Sequence, residues 1–193
     1  MQRRDFLISA LAAAIPAVYA GCTTTSGSGE SGATDMAQRQ SLDASVDGTL
    51  SRLYISVKGS RELVSKAQGV LVFPNVLQAG FIIGGEHGDG ALRVGGGTVG
   101  YYSTTSGSIG LTAGAQSKAI VFLFMTSDAL SQFRNSNGWT VSGDASVALV
   151  KVGANGTIDT TTATAPVEVI VMTNAGLMAD VSLAGTKVTP LKI

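Results

Sequence analysis

Apolar residues recur at helical spacing in the first part of the chain and at strand spacing after it. Leu42, Val46, Leu50, Leu53 and Val57 fall three or four residues apart. At about 100° per residue they form one stripe roughly 80° wide. Asp43, Asp47 and Lys58 lie off it. The pattern predicts an amphipathic helix beginning after Asp35, stopped or kinked at Gly59-Ser60. A short second helix over 60–67 follows, with Ser60 as candidate N-cap and Leu63 and Val64 buried. The stripe reads as packing against a sheet. A sharper reading lets part of this helix touch a membrane.

From Gly69 onward the pattern becomes period two or continuous β-formers. Gly69 to Tyr102 consists of short apolar runs cut at Pro74-Asn75, at 84–90 and at Gly95-Gly96-Gly97, which predicts adjacent antiparallel strands with tight glycine turns. Expected strands are 70–73, 81–84, 91–94, 99–103, 108–116, 119–125, 146–152, 167–173 and 177–183. Residues 120–125 are apolar on both faces, so this strand should be central and doubly covered. One helix over 126–134, capped by Thr126 or Ser127 and anchored by Leu130 and Phe133, interrupts the series. Asn137-Gly138 reads as a turn, Trp139 as closing an edge of the core, 153–156 as a hairpin turn and 160–165 as a polar loop. The fold class is α+β, with amino-terminal amphipathic helices packed on an extensive, mostly antiparallel β-sheet that could close toward a barrel.

The first residues carry an address. Gln2-Arg3-Arg4-Asp5-Phe6-Leu7 resembles a twin-arginine export motif, and the apolar run 6–20 has the length of a signal-peptide core. Tyr19-Ala20-Gly21-Cys22 resembles a bacterial lipobox, with Tyr19 where Leu is usual. Cys22 is the chain's one cysteine. It is therefore the expected lipid anchor, and no internal disulfide can form. More than one acyl chain, at about 0.8 kcal/mol per buried methylene, gives stable anchoring. The expected organisation is a signal peptide over 1–21, a lipidated Cys22 with a flexible tether over 22–35 reaching about 20 Å, and one domain over 36–193. Thr23 after Cys22 favours the outer membrane over inner-membrane retention.

Charge narrows the partners. The chain has 13 basic and 13 acidic residues, and losing Arg3, Arg4 and Asp5 with the leader leaves 11 and 12. Bulk attraction to nucleic acid is thereby excluded. Any anionic headgroup must be met by a local patch. Arg39, Arg52, Lys58, Arg61 and Lys66 cluster in the helical quarter, which favours proximity to anionic lipid. Asp35, Asp43, Asp47 and Glu62 oppose it.

A catalytic set is missing. His87 is the one imidazole, and no Ser occupies a nucleophile elbow. Glu86, His87 and Asp89 could offer three metal ligands on one loop. A glycine turn with polar tips in water is the simpler reading. Gly95, Gly97 and Gly100 match dinucleotide-fingerprint spacing but continue into strand rather than helix. The expectation is no enzyme, no cofactor and no metal.

Several segments resemble the SYLF domain: 67–74 (AQGVLVFP), 79–85 (AGFIIGG) with Gly88-Asp89-Gly90, Gly107-Ser108-Ile109-Gly110, Ala115-Gln116, the 120–125 strand, 144–148, and Gly176-Leu177 with 181–185. The resemblance covers about 36–193. Leu149-Val150-Lys151-Val152 departs from it, standing where the family often has a Gly-Pro-rich turn. It implies a noncatalytic phospholipid-binding module, often for phosphoinositides, with membrane contact through the amino-terminal helices. Actin binding also attaches to the family and would apply only if the protein met host cells. The resulting expectation is an outer-membrane lipoprotein that binds anionic phospholipid through Arg39, Arg52, Lys58, Arg61 and Lys66. The alternative is a structural lipoprotein of the envelope that contacts a protein or the cell wall.

Overall fold

The computed structural model describes residues 30–80, 83–109, 114–141, 143–144, 146–150, 158, 165–173, 176–177 and 183–193. The expected leader, Cys22 and the residues after it to 29 lie outside these, as do the expected turn at 153–156 and most of the loop at 160–165. In chain order come helices α1 (Glu30–Ser56) and α2 (Ser60–Lys66), then strands β1 (Gly69–Gly80), β2 (Ile83–Val94), β3 (Gly97–Ile109) and β4 (Gly114–Phe124). Helix α3 (Ser127–Asn135) follows, and then strands β5 (Trp139–Thr140), β6 (Val147–Leu149), β7 (Val167–Thr173), β8 (Gly176–Leu177) and β9 (Lys187–Pro190). Helix α1 starts earlier than the periodicity indicates, because its first turns carry only alanines and the exposed Met36, which make no stripe for the pattern to register.

The α1 stripe is buried as its geometry requires. Val46 and Leu53, in the middle of the stripe, and Val57, just past the helix end, are fully buried, while Leu42 and Leu50 at its margins are half-buried. Gly59 adopts φ 86°, a left-handed conformation that glycine tolerates and that turns the chain into α2. Ser60 is not the cap. Gly59 occupies that position, and the buried Ser60 hydroxyl instead donates to the carbonyls of Leu53 and Val57 at 3.2 and 2.7 Å. Both carbonyls also accept a backbone N–H, from Val57 and from Ser60, so the hydroxyl is a second donor to each where α1 ends. Thr126 does cap α3, accepting from the Ala129 N–H at 3.2 Å, and Leu130 and Phe133 bury that helix.

All nine strands belong to one sheet of order β5-β9-β3-β2-β1-β4-β7-β6, with β8 also on β7. Every pairing is antiparallel except β6 with β7. Strand β4 lies between β1 and β7, and its residues 119–124 are all buried. It is the doubly covered strand. On one face Val70, Val72, Val121, Leu123 and Ile170 pack with Val46, Leu53, Val57 and Leu63 of the helices. On the other, Leu71, Phe73, Phe122, Phe124 and Val169 pack with Phe133 and Trp139.

That second face is concave. Trp139 is in edge strand β5, five strand spacings from β4. At about 4.8 Å each, a flat sheet would hold them about 24 Å apart. The Trp139 ring instead lies 5.6 Å from Phe122 and 6.1 Å from Phe124. The sheet therefore curls around an aromatic cluster, as half of a barrel.

The expected turns need correction. Of the breaks expected between Gly69 and Tyr102, only Gly95-Gly96 makes a turn, with φ 59° and 85° between β2 and β3. Residues 84–90 are not a turn but the body of β2: all of them pair with β3, and 84–87 also pair with β1. Pro74-Asn75 is an irregularity inside β1, where the register shifts against both neighbours. Proline has no N–H to give the ladder, so it is placed where the ladder is interrupted. Gly88 and Gly90 owe their identity to this bulge. A Cβ on Gly88 would stand 2.7 Å from the Asn75 carbonyl oxygen. One on Gly90 would collide with the Val72 carbonyl oxygen and the Phe73 ring. Glycine here serves close approach of β1, not chain reversal. The expected strand over 108–116 is also split: Ile109 ends β3 and Gly114 begins β4. Strand β9 carries no period-two signal and has no counterpart in the sequence reading.

Candidate functional site

The five cations expected at a lipid surface divide into two places. Arg39 lies near the start of α1, and at 100° per residue it points about 140° away from Arg52 around the helix. Its Nε donates to the Ile193 carbonyl at 2.7 Å, Nη2 bonds the same oxygen, and the guanidinium lies 6.0 Å from the Tyr101 ring centroid. This residue is committed to the carboxy-terminal segment. Arg52, Lys58, Arg61 and Lys66 run from the last turns of α1 through α2, all exposed. Lys66 is paired to Glu62 at 2.8 Å, an exposed i,i+4 bridge of small energetic weight. Arg61 stacks 4.4 Å above the Tyr54 ring, and this leaves its N–H groups available at the rim.

The sequence reading missed Arg93 and Asp43. Arg93 projects from β2 onto the α1 side, and only 17% of its side chain is exposed. One nitrogen, Nη2, serves Asp47 Oδ1 at 2.8 Å, Asp43 Oδ1 at 3.5 Å and the Asp43 carbonyl at 3.4 Å. Arg93 Nε is buried without an acceptor. Asp43 also accepts from Thr98 Oγ1 at 2.8 Å and from the Tyr101 hydroxyl at 3.0 Å. Burial raises the Tyr101 phenol pKa, and the bond to Asp43 and its charge raise it further. One carboxylate off the apolar stripe thus fastens α1 to β2 and β3. The available signal was that Asp43 and Asp47 stand one turn apart on one helix face.

Two grooves flank α1. One lies beside Ser41, Ser45, Pro74, Asn75 and Asp89. The other, about 280 Å³, lies between α1, α2 and the β2–β3 turn, with Leu50, Tyr54, Val64, Ala67 and Val70 as apolar walls and Arg93 among its lining residues. Burial raises the Tyr54 phenol pKa at its rim, and the Arg61 charge offsets part of that rise.

Strand geometry also disperses the suspected metal trio. Side chains alternate between faces along β2. Glu86 faces the concave side, where Oε1 pairs with the buried Lys118 at 2.7 Å and Oε2 accepts from Ser106 at 3.0 Å. His87 and Asp89 project to the other side, 3.8 Å from each other. Among the described residues no group of three His, Cys, Asp or Glu is placed to hold a metal ion. The Glu86–Lys118 pair, about 10% exposed on each side, bridges β2 and β4 across β1. Removing one partner would strand a buried charge, which gives the pair a structural role.

Among curated proteins none matches this chain. The family model described as "Ysc84: Las17-binding protein actin regulator" matches residues 105–192. This stretch runs from the second half of β3 to β9, and includes the central strand β4 and the closing Trp139. Members of this family carry domains of lipid- and actin-binding type rather than catalytic ones. Residues 105–192 thus match the Ysc84 (SYLF) family model, the same family that the sequence resembles.

Proposed function

We propose that this protein is a lipid-anchored envelope lipoprotein whose domain binds anionic phospholipid without catalysis. The observation that carries this reading is the row of exposed cations, Arg52, Lys58, Arg61 and Lys66, across the α1–α2 junction of a domain from a lipid-binding-type family. Basic side chains near an anionic surface contribute about 1 kcal/mol each. A patch of four therefore suffices for reversible membrane contact on a chain of near-neutral net charge. Acylation at Cys22 would keep the domain at the bilayer, so that weak headgroup contacts act at high local concentration. Arg39, held by Ile193, stays outside the patch. An outer-membrane location belongs to this proposal and rests on the lipobox-like segment before Cys22 and on Thr23 after it.

The test is co-sedimentation of the full chain carrying Cys22→Ser with vesicles of phosphatidylcholine, with and without phosphatidylglycerol or a phosphoinositide. Preference for anionic vesicles, falling with salt and lost in Arg52→Glu/Lys58→Glu/Arg61→Glu, is the expected result. Equal binding to neutral and anionic vesicles would sink the reading. A dominant protein partner on crosslinking in cells, with no lipid preference, would favour a structural role in the envelope.

A further inference from the structure

We infer that the groove between α1, α2 and the β2–β3 turn seats the phosphate and glycerol of one anionic phospholipid molecule, with Arg93 as its phosphate anchor. The inference rests on the lipid-binding reading above and adds a specific pocket to the surface patch.

Three observations converge on this groove. First, Arg93 lines it and carries a buried Nε without an acceptor, although its Nη2 is shared among three oxygens. A buried donor left open is costly, and a phosphate oxygen is the acceptor that a guanidinium fork matches best. Second, the walls are apolar: Leu50, Val64, Ala67 and Val70, with the Tyr54 ring at the mouth. Inorganic phosphate would gain nothing from such walls, whereas the glycerol and first acyl methylenes of a lipid would be desolvated against them. Third, the mouth is continuous with the proposed membrane patch. Arg61 stacks on Tyr54, and Lys66 follows the lining residue Ser65. A lipid drawn from the bilayer would meet these cations before reaching Arg93.

Asp47 completes the device. It also lines the groove, and its carboxylate, largely exposed, holds Arg93 Nη2 at 2.8 Å. It occupies the guanidinium as an internal anion, which a phosphate must displace. Asp43, by contrast, is bound by Thr98 and Tyr101 as well and keeps Arg93 in place. Asp47 therefore sets a threshold that soluble monovalent anions do not pass.

The experiment uses the full chain carrying Cys22→Ser and reads the ratio of binding to phosphatidylglycerol-containing and pure phosphatidylcholine vesicles, so that any contribution of the apolar leader cancels. Arg93→Gln should lower the ratio about tenfold, the scale of one lost charged hydrogen bond. Arg93→Gln also loosens α1, so Ser65→Trp is the companion: Ser65 is exposed, and an indole there fills the groove without touching Arg93. It should lower the ratio similarly with an unchanged melting temperature. Asp47→Asn should raise it several-fold. If Arg93→Gln and Ser65→Trp bind like the parent while Arg52→Glu/Lys58→Glu does not, the groove assignment is wrong and the surface patch survives. A parent that shows no anionic preference overturns both. If inorganic phosphate competes as well as short-chain phosphatidylglycerol, the groove is a plain anion site and the lipid assignment falls.

Discussion

At the scale of single residues, the chain places charge where only one arrangement tolerates it. Glu168 in β7 is buried, and its Oε1 accepts the Ala165 N–H at 3.0 Å. Burial raises its carboxyl pKa, partly offset by that N–H. The folded state thus holds this proton more tightly than the unfolded chain does. The associated stabilisation is present in acid and is lost as pH rises from the unfolded value through the raised folded one. Glu168→Gln keeps the acceptor and removes the ionisation. Its urea midpoint should exceed the parent's at neutral pH, and the difference should vanish in acid. Asp43 shows the opposite economy, because three side chains depend on it. Asp43→Asn should cost about 1–3 kcal/mol by chemical denaturation. It should also bring the Tyr101 phenol back toward ordinary titration in a spectrophotometric pH series, since two of the influences raising it come from Asp43.

At the scale of elements, β1 and β2 show how one composition supports two readings. Glycine with polar residues is turn chemistry in an isolated segment. It is also what a strand needs when a bulged neighbour presses on it. Sequence spacing does not separate these cases, because the pressure comes from Asn75 and Val76 on another strand. Substitution does separate them. Gly88→Ala and Gly90→Ala force the bulge aside and should each destabilise by about 1–3 kcal/mol or more. Gly85→Ala meets nothing within 4 Å and should stay within about 0.5 kcal/mol of the parent. Thermal unfolding of the three variants is the check, and equal losses at Gly85 and Gly88 would restore the turn reading. Helix α1 was legible because its stripe and its burial obey the same 100° rule. Ser60 was misread, since a serine before a helix looks like a cap until the carbonyls of α1 are seen beside it.

At the scale of the whole molecule, the sheet closes on Trp139, which touches Phe122, Phe124 and Phe133 at 5.5–6.1 Å. Edge strand β5 pairs only β9 in the sheet, so this aromatic cluster holds the curl. Trp139→Ala should cost about 3–5 kcal/mol, and amide exchange should accelerate in β9 and β3 before β1 and β4. Uniform acceleration across all four strands would show that the curl does not unzip from this edge.

The chain by itself determined its periodicities: the α1 stripe, the apolar β4, the α3 cap and the α+β class follow from local spacing and side-chain chemistry. It also showed that histidine and cysteine occur once each, since composition counts them. Only the tertiary structure decided which polar residues meet. It divided Glu86 from His87 and Asp89 by the pleat of a strand and tied Arg39 to Ile193. It also brought Arg93 of β2 under the carboxylates of α1, nearly fifty residues away in sequence. Contacts between distant segments depend on register, bulge and curl, which are properties of the assembled sheet and are written in no single stretch of the chain.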